Sequence, residues 1–536
     1  MKKQDLFHCA GTTVALMVGA TMVSKVFGML RQMMTASIFA ASMEGIAFSA
    51  ASGIPLAIFD MLFSTAVLGS FLPIYKGHLD SDGKRAESFS SSFLTGICLI
   101  TAVASVLGIV LARPIIRLSA PDLDESTLTL AVLLLRIMFP SMIFAGAAYT
   151  LVGIMQSHES FLLPALISAV SNLILILYLA LCPKPIGTVS AVGFALAYLF
   201  SWAAQFLTLA VPLWRKRRLP RLTRYLKTPD TVIAVKRSLP VMFGSWLIPM
   251  TNLIAKSFSS FVPPEDIESG AGAGVAIVVY ENAFSVFAIA AGLLTYGICN
   301  YIFPKLSARF ASGDGEGFSR LLQNGFFIAL AMALPVSGAL FWLSDEVVEL
   351  LFLRGSFTVG LARSVGTSLR TLALALPAYG MTEFFSRACY ACGKVRYPMW
   401  AALLGILISL SALTAFFFMN TISVATVSLS VVLGMSVSGI SLWRCCRLFF
   451  PNRRKEEWGR YAFLFAGYAL SFATMGACRS FLRHFLHFLE TFQNFLLITI
   501  VFTVGFMVYS IWLILTRVIR ISDLCMRVGN ENVSIF

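Results

Sequence analysis

Lys25, Arg31, Asp60, Arg136, Lys256, Glu281, Arg370, Glu383 and Arg387 all fall inside, or at the edge of, long apolar runs. An ionisable side chain in such surroundings is costly and usually faces a wet interior or another charge. Arg31 suits an oxyanion, because the guanidinium fork binds phosphate or carboxylate oxygens two at a time. On one helix Lys25 and Arg31 would stand about 120° apart, so both can border a single chamber. Lys256 offers a further cation, and Asp60 and Glu281 would balance part of that positive charge when the chamber is empty. Together they read as an anion-binding site. A plainer reading, internal pairing or snorkelling of the long side chains, stays open for each. Glu383 and Arg387, four residues apart on one helix face, read as a local pair.

Helices embedded in lipid are the elements that would position these groups. Hydrophobic residues make up 58% of the chain and charged residues 12%, against about 25% charged in a soluble domain. Apolar side chains must therefore also face outward. The period-two alternation of a membrane barrel is absent, and unbroken apolar runs such as 194–213 and 495–515 take its place. Only helices then satisfy the backbone within a bilayer. At about 20 residues per crossing, the sequence predicts an all-α polytopic membrane protein with about fourteen spans. They fall at 9–30, 46–75, 89–112, 128–155, 161–181, 188–214, 239–262, 272–303, 322–343, 350–390, 399–419, 422–443, 461–477 and 492–516. The tenth region is too long for one crossing; it is expected to begin as an external hairpin or interfacial helix and to become a span after Arg363. The apolar start resembles a signal peptide but has no convincing cleavage site, so a retained first helix is expected.

Basic residues orient the bundle. The run 215–237 holds Arg215, Lys216, Arg217, Arg218, Arg221, Arg224, Lys227, Lys236 and Arg237, and a second run covers 444–460. An opposite loop carries Glu265, Asp266 and Glu268. The positive-inside rule then places both termini in the cytoplasm. It also explains the net charge of +15 without nucleic acid, the basic runs meeting anionic lipid head groups instead. An internal repeat is legible: Phe71-Leu72-Pro73 matches Ile302-Phe303-Pro304, and Phe139-Pro140 matches Leu376-Pro377. The implied organisation is a six-helix lobe at 1–214, a basic linker at 215–237, a second six-helix lobe at 238–446, and two further helices with a tail at 447–536. Parallel repeats of this kind are a transporter architecture.

Other chemistries find little support. No GxxxxGK[ST] loop occurs, which argues against ATP hydrolysis. Cys389 and Cys392 form a CxxC, but no second pair or histidine follows at zinc spacing, so neither metal nor cofactor is expected. Asp122, Asp124 and Glu125 lie in a loop too short for a glycosyltransferase site, and an enzyme is not expected.

Several segments resemble a known family. Leu351-Phe352-Leu353-Arg354-Gly355-Ser356-Phe357-Thr358 is similar to its LFxRGxFT segment. Leu376-Pro377-Ala378-Tyr379-Gly380, followed by Arg387-Ala388-Cys389-Tyr390-Ala391-Cys392-Gly393-Lys394-Val395-Arg396-Tyr397-Pro398, is similar to LPAxG…RAxYAxGxxRxP. Ser24-Lys25-Val26-Phe27-Gly28-Met29-Leu30-Arg31 resembles SRxxGxxR. The family is MurJ (MviN), the lipid II flippases of the multidrug/oligosaccharidyl-lipid/polysaccharide superfamily, and the resemblance covers about residues 5–450.

The resemblance implies a fourteen-helix flippase with a cationic central cavity. It would move undecaprenyl-diphosphate-linked peptidoglycan precursor by alternating access, alongside membrane lipids and cell-wall synthesis enzymes as partners. It carries the cavity arginine onto Arg31 and a charge-retaining replacement onto Lys25. The family's acidic residue after the first span falls near Ile46, close to Glu44. Its second-span arginine pair falls at Phe59 and Asp60, and its eighth-span arginine near Ala283 or Ser285. A seventh-span aspartate tied to sodium in some members aligns with Lys256. These departures leave two alternatives: export of another polyprenyl-diphosphate-linked oligosaccharide, or a non-transporting scaffold.

Overall fold

Short polar side chains placed just before apolar runs start the helices. Ser42 accepts from the Gly45 N–H, Asp82 from Lys84 and Arg85, Asp124 from Thr127, and Asp314 from Gly317. Each satisfies a donor that the first turn leaves open. The computed structural model describes residues 3–64, 71–182, 185–226, 228–244, 246–267, 274–449, 457–485, 490–516, 525–528 and 531–534. Glu268 and Lys227, singled out above, lie outside the described residues.

Twenty helices follow in order: α1 (Lys3–Phe39), α2 (Met43–Phe59), α3 (Leu72–Ser81), α4 (Gly83–Val110), α5 (Ala112–Ser119), α6 (Glu125–Met138), α7 (Ser141–Ser157), α8 (Leu162–Ala180), α9 (Thr188–Arg215) and α10 (Pro229–Gly244). Then come α11 (Leu247–Ser259), α12 (Val275–Ala311), α13 (Gly315–Trp342), α14 (Ser344–Phe352), α15 (Val359–Ala373), α16 (Leu376–Ala391), α17 (Arg396–Phe418), α18 (Val424–Phe449), α19 (Glu457–Phe485) and α20 (Glu490–Leu515). A two-strand hairpin, β1 (Cys525–Val528) with β2 (Glu531–Ser534), lies in the tail. The membrane body is all-helical.

Among the described residues ten helices are long and apolar enough to cross a membrane, α6 and α7 counting together as one. They coincide with ten of the fourteen expected spans. Of the other four regions, the first is a single helix, α1, 37 residues long, and three are divided. The second passes from α2 into a π-turn at Asp60–Ser64. The seventh breaks between α10 and α11, and the tenth is divided into α14, α15 and α16. Discontinuous helices put backbone groups at membrane depth that need other partners, which restricts them to protein-lined places. Two such points meet here: Trp246, at the start of α11, donates its indole N–H to Met61 O in the π-turn at 2.8 Å.

The chain divides into two compact units. The first comprises Met1–Asn282, Arg354–Leu361 and Leu410–Val427, so it runs past the basic segment and takes in α10, α11 and the start of α12. Its core sets Phe39, Ala47, Ala51 and Phe59 against Leu134, Leu135, Ala148, Leu151, Phe194 and Leu209. Close approach depends on small residues: a Cβ at Gly108 would strike the Phe139 ring. The second unit comprises Ala283–Leu353, Ala362–Ser409 and Ser428–Phe536. Phe318, Phe326, Phe384, Phe385, Leu442 and Leu464 form its core, so α19 belongs to it. The breaks at the two matching prolines are served alike. Ser105 donates to Phe139 O at 2.9 Å in the first unit, and Ser337 donates to Ala373 O at 2.7 Å in the second.

Candidate functional site

Four of the sequence-predicted residues of the first unit, Arg31, Asp60, Lys256 and Glu281, come together from α1, the π-turn after α2, α11 and α12. Lys256, on α11, is only 4% exposed, and a buried ammonium requires compensation. Its Nζ lies 3.1 Å from Glu281 Oε2 on α12 and donates to Ser49 O on α2 at 3.3 Å. Gly53 makes the approach possible, since a Cβ there would stand 3.3 Å from Nζ. Lys256 is therefore not a free cation. It is committed to Glu281, the internal pairing left open by the sequence.

Next to Glu281, Asn282 continues the chain of contacts. Its Oδ1 accepts from Gln32 Nε2 at 3.1 Å and its own Nδ2 donates to Val278 O at 2.9 Å. Gln32 adjoins Arg31 on α1. A polar path thus runs from Arg31 and Gln32 through Asn282 and Glu281 to Lys256 and the backbone of α2.

Arg31 differs from its neighbours. Its side chain is half-buried, and it lies within electrostatic reach of Tyr198 and Glu281. Among the described residues it makes no hydrogen bond or ion pair through its guanidinium. Asp60 occupies the first position of the π-turn, half-buried, and its charge reaches Tyr149 and Tyr198. The cluster carries two cations, Arg31 and Lys256, and two carboxylates, Asp60 and Glu281. It is balanced when empty, and its one uncommitted fork is that of Arg31. Such a group can take two oxygens of a phosphate or carboxylate.

Two sequence-predicted residues do not join the cluster. Lys25 is exposed on α1, and Glu44 sits in the first turn of α2, at the opposite end from Asp60. A carboxylate there complements the helix dipole. Gln32, Asn282, Tyr198 and the Ser49 carbonyl were not singled out in the sequence. The signal available for Gln32 and Asn282 was an amide beside each in-span charge.

The remaining in-span charges have local partners. Glu383 and Arg387 lie 3.7 Å apart, Arg136 donates to Ile109 O at 3.3 Å, and Arg370 pairs with Asp345. On the face bearing the basic segment, Asp230 of α10 accepts two 3.0 Å bonds from Arg85, and His78 Nε2 stands 3.1 Å away. The Arg85 bond, with the nearby His78, holds the Asp230 carboxyl below the usual carboxylate range.

A family model described as lipid II flippase MurJ matches residues 35–514, a span beginning just after Arg31. A probable lipid II flippase MurJ of Bdellovibrio bacteriovorus is 28% identical over 402 residues, covering 74% of each chain. The lipid II flippase MurJ of Burkholderia cenocepacia is 27% identical over 463 residues, covering 85% of this chain and 87% of its own. Among solved structures, a lipid II flippase MurJ in an inward closed conformation superposes with a TM-score of 0.74 at 20% identity, covering 94% of this chain and 99% of that one. An inward-facing multidrug resistance MATE transporter of the MOP superfamily gives 0.66 at 14% identity, covering 82% and 98%. At these identities the structural likenesses speak to the fold.

Proposed function

The chain belongs to the MurJ lipid II flippase family, and from that premise we propose that it translocates lipid-linked peptidoglycan precursor across the bacterial inner membrane by alternating access. It acts as a transporter rather than an enzyme. In this reading fourteen spans cross the membrane, several of them interrupted, and both termini face the cytoplasm. The lobes are 1–214 and 238–446, joined by the basic linker 215–237, with 447–536 supplying the last two spans and the tail.

The observation that carries the reading is the guanidinium of Arg31, unpartnered among the described residues, beside a charge-balanced cluster. The Arg31 fork takes two oxygens of the diphosphate. Glu281 serves as counter-ion in the empty state, and the arriving anion takes its place beside Arg31. Lys256, held to α2 and α12, transmits that change to the broken seventh span. Asp60 in the π-turn completes the charge balance, while Lys25, nearer the cytoplasmic end of α1, meets cargo on its way in and Glu44, after the first span, meets it on its way out. A lysine where some relatives are associated with sodium supplies its charge permanently, so transport proceeds without sodium at that position.

The absence of the second-span arginine pair favours a second reading, export of a different polyprenyl-diphosphate-linked oligosaccharide, and a scaffold without transport is the third. Complementation separates them. In a strain depleted of its own lipid II flippase, the wild-type chain restores growth and Arg31→Ala does not, at equal membrane levels. Failure of the wild-type chain despite normal insertion would leave another cargo or a scaffold.

A further inference from the structure

Four cysteines that take no part in the anion cluster gather at one end of the second unit. Cys389 lies in the last turn of α16 and Cys446 near the end of α18; both are 3% exposed, and their sulfurs are 3.6 Å apart. Cys392 and Cys445, half-buried, lie within electrostatic reach of Cys389. The sequence spacing, CxxC in one helix and adjacent cysteines some fifty residues later, gives no hint that the two pairs meet.

Their meeting is the end of a seam of small side chains. Ser368 and Ser428 hydroxyls bond at 2.7 Å. Further along, Gly439 packs so closely on α16 that a Cβ would stand 3.0 Å from Ala378 O. Cys389 and Cys446 close the seam. Two thiols in contact, on helices held together along their length, already have the sulfur proximity from which a disulfide closes. Free buried cysteines are otherwise inert, but Cys392 and Cys445 give a thiol-reactive oxidant a way in.

We propose that Cys389 and Cys446 form a redox-modification site, closing to a disulfide when a disulfide-type oxidant such as oxidised glutathione challenges the protein. The net reaction transfers two electrons. Both cysteine S–H bonds break and one S–S bond forms between Cys389 and Cys446; the oxidant's own S–S bond is reduced and takes up both protons as two thiols. In a reducing cytoplasm the pair rests as thiols, and the bond persists only under oxidative load. Its consequence is mechanical. α16 is the last segment of the divided tenth span, and the bond staples this segment to the continuous α18. The chemical step stands on geometry alone, whereas its effect on transport rests on the flippase reading.

The test uses the full-length protein in membranes, exposed to oxidised glutathione and then to differential alkylation and peptide mass spectrometry. The expected product is a peptide pair joined through Cys389 and Cys446, reversed by dithiothreitol, retained in Cys98→Ser and lost in Cys446→Ala. Alkylation of both cysteines as free thiols in denaturant, or pairing confined to Cys389–Cys392 or Cys445–Cys446, would overturn the site. In a complementing strain, the oxidised wild type is expected to lose transport and regain it on reduction, while Cys446→Ala transports in both conditions. A fully cross-linked wild type that still transports would overturn the stapling role and leave the flippase reading untouched.

Discussion

Two clusters in this molecule are built from the same residue types and reach opposite outcomes. In the second unit, Arg370 and Arg479 share Asp345, Arg479 also bonds Glu346 at 2.9 Å, and Asn494 donates to Glu349 at 3.0 Å. Every cation there is matched, and the bonds tie α15, α19 and α20 to α14. In the first unit, Lys256 is matched by Glu281 while Arg31 holds no partner among the described residues. A network whose cations are all committed is a fastener, since removing one member leaves a buried charge unmatched. One with an uncommitted cation has capacity for a ligand. The lesson is that burial and charge do not by themselves separate site from scaffold; the count of uncommitted forks does.

The largest expected break in this contrast is at Arg31. Arg31→Ala is expected to lower affinity for a diphosphate-bearing lipid about ten- to hundredfold, from the loss of charge-assisted bonds, with melting in detergent unchanged. An equally large loss of melting temperature would make Arg31 a fastener too. Next comes Lys256. Lys256→Ala strands Glu281 and is expected to destabilise the first unit by about 3–5 kcal/mol, whereas Lys256→Met with Glu281→Gln recovers most of that stability but not transport. No effect of Lys256→Ala on either readout would remove the role given to this charge.

In the second unit, Arg479→Ala is expected to cost about 1–3 kcal/mol and to raise hydrogen exchange in α19, with cargo affinity retained; weakened binding would contradict the contrast. The smallest effect concerns Asp230. Its carboxyl is held low by Arg85, so the contact contributes fully above the ordinary carboxylate range and is lost as pH falls through the depressed value. Hydrogen exchange of α10 is expected to be flat around neutrality and to rise only in acid. A rise near neutral pH would place the control elsewhere.

Much of this was legible in the sequence, for physical reasons that also mark where legibility stops. Hydropathy reports how long a run stays apolar, so the ten apolar spans fall within the expected regions, one of them as the pair α6 and α7. It does not register a break in the backbone, which is why 46–75 and 239–262 read as continuous. Pro55, the glycines near it and Gly244 were the available signs. Asp60, Lys256, Glu281 and Arg31 stood out because charge in an apolar run is conspicuous. The pairing of Lys256 with Glu281 did not, since they lie on different helices and only packing brings them together. Gln32 and Asn282 were passed over because an amide carries no charge, although each is next to a residue that does.

The most direct measurement is the affinity of the purified chain for undecaprenyl diphosphate, compared between wild type, Arg31→Lys and Arg31→Ala. Wild type is expected to bind most tightly, the lysine variant more weakly because it lacks the planar fork, and the alanine variant weakest. Equal affinity across the three would contradict the assignment of Arg31 as the group that holds the head group.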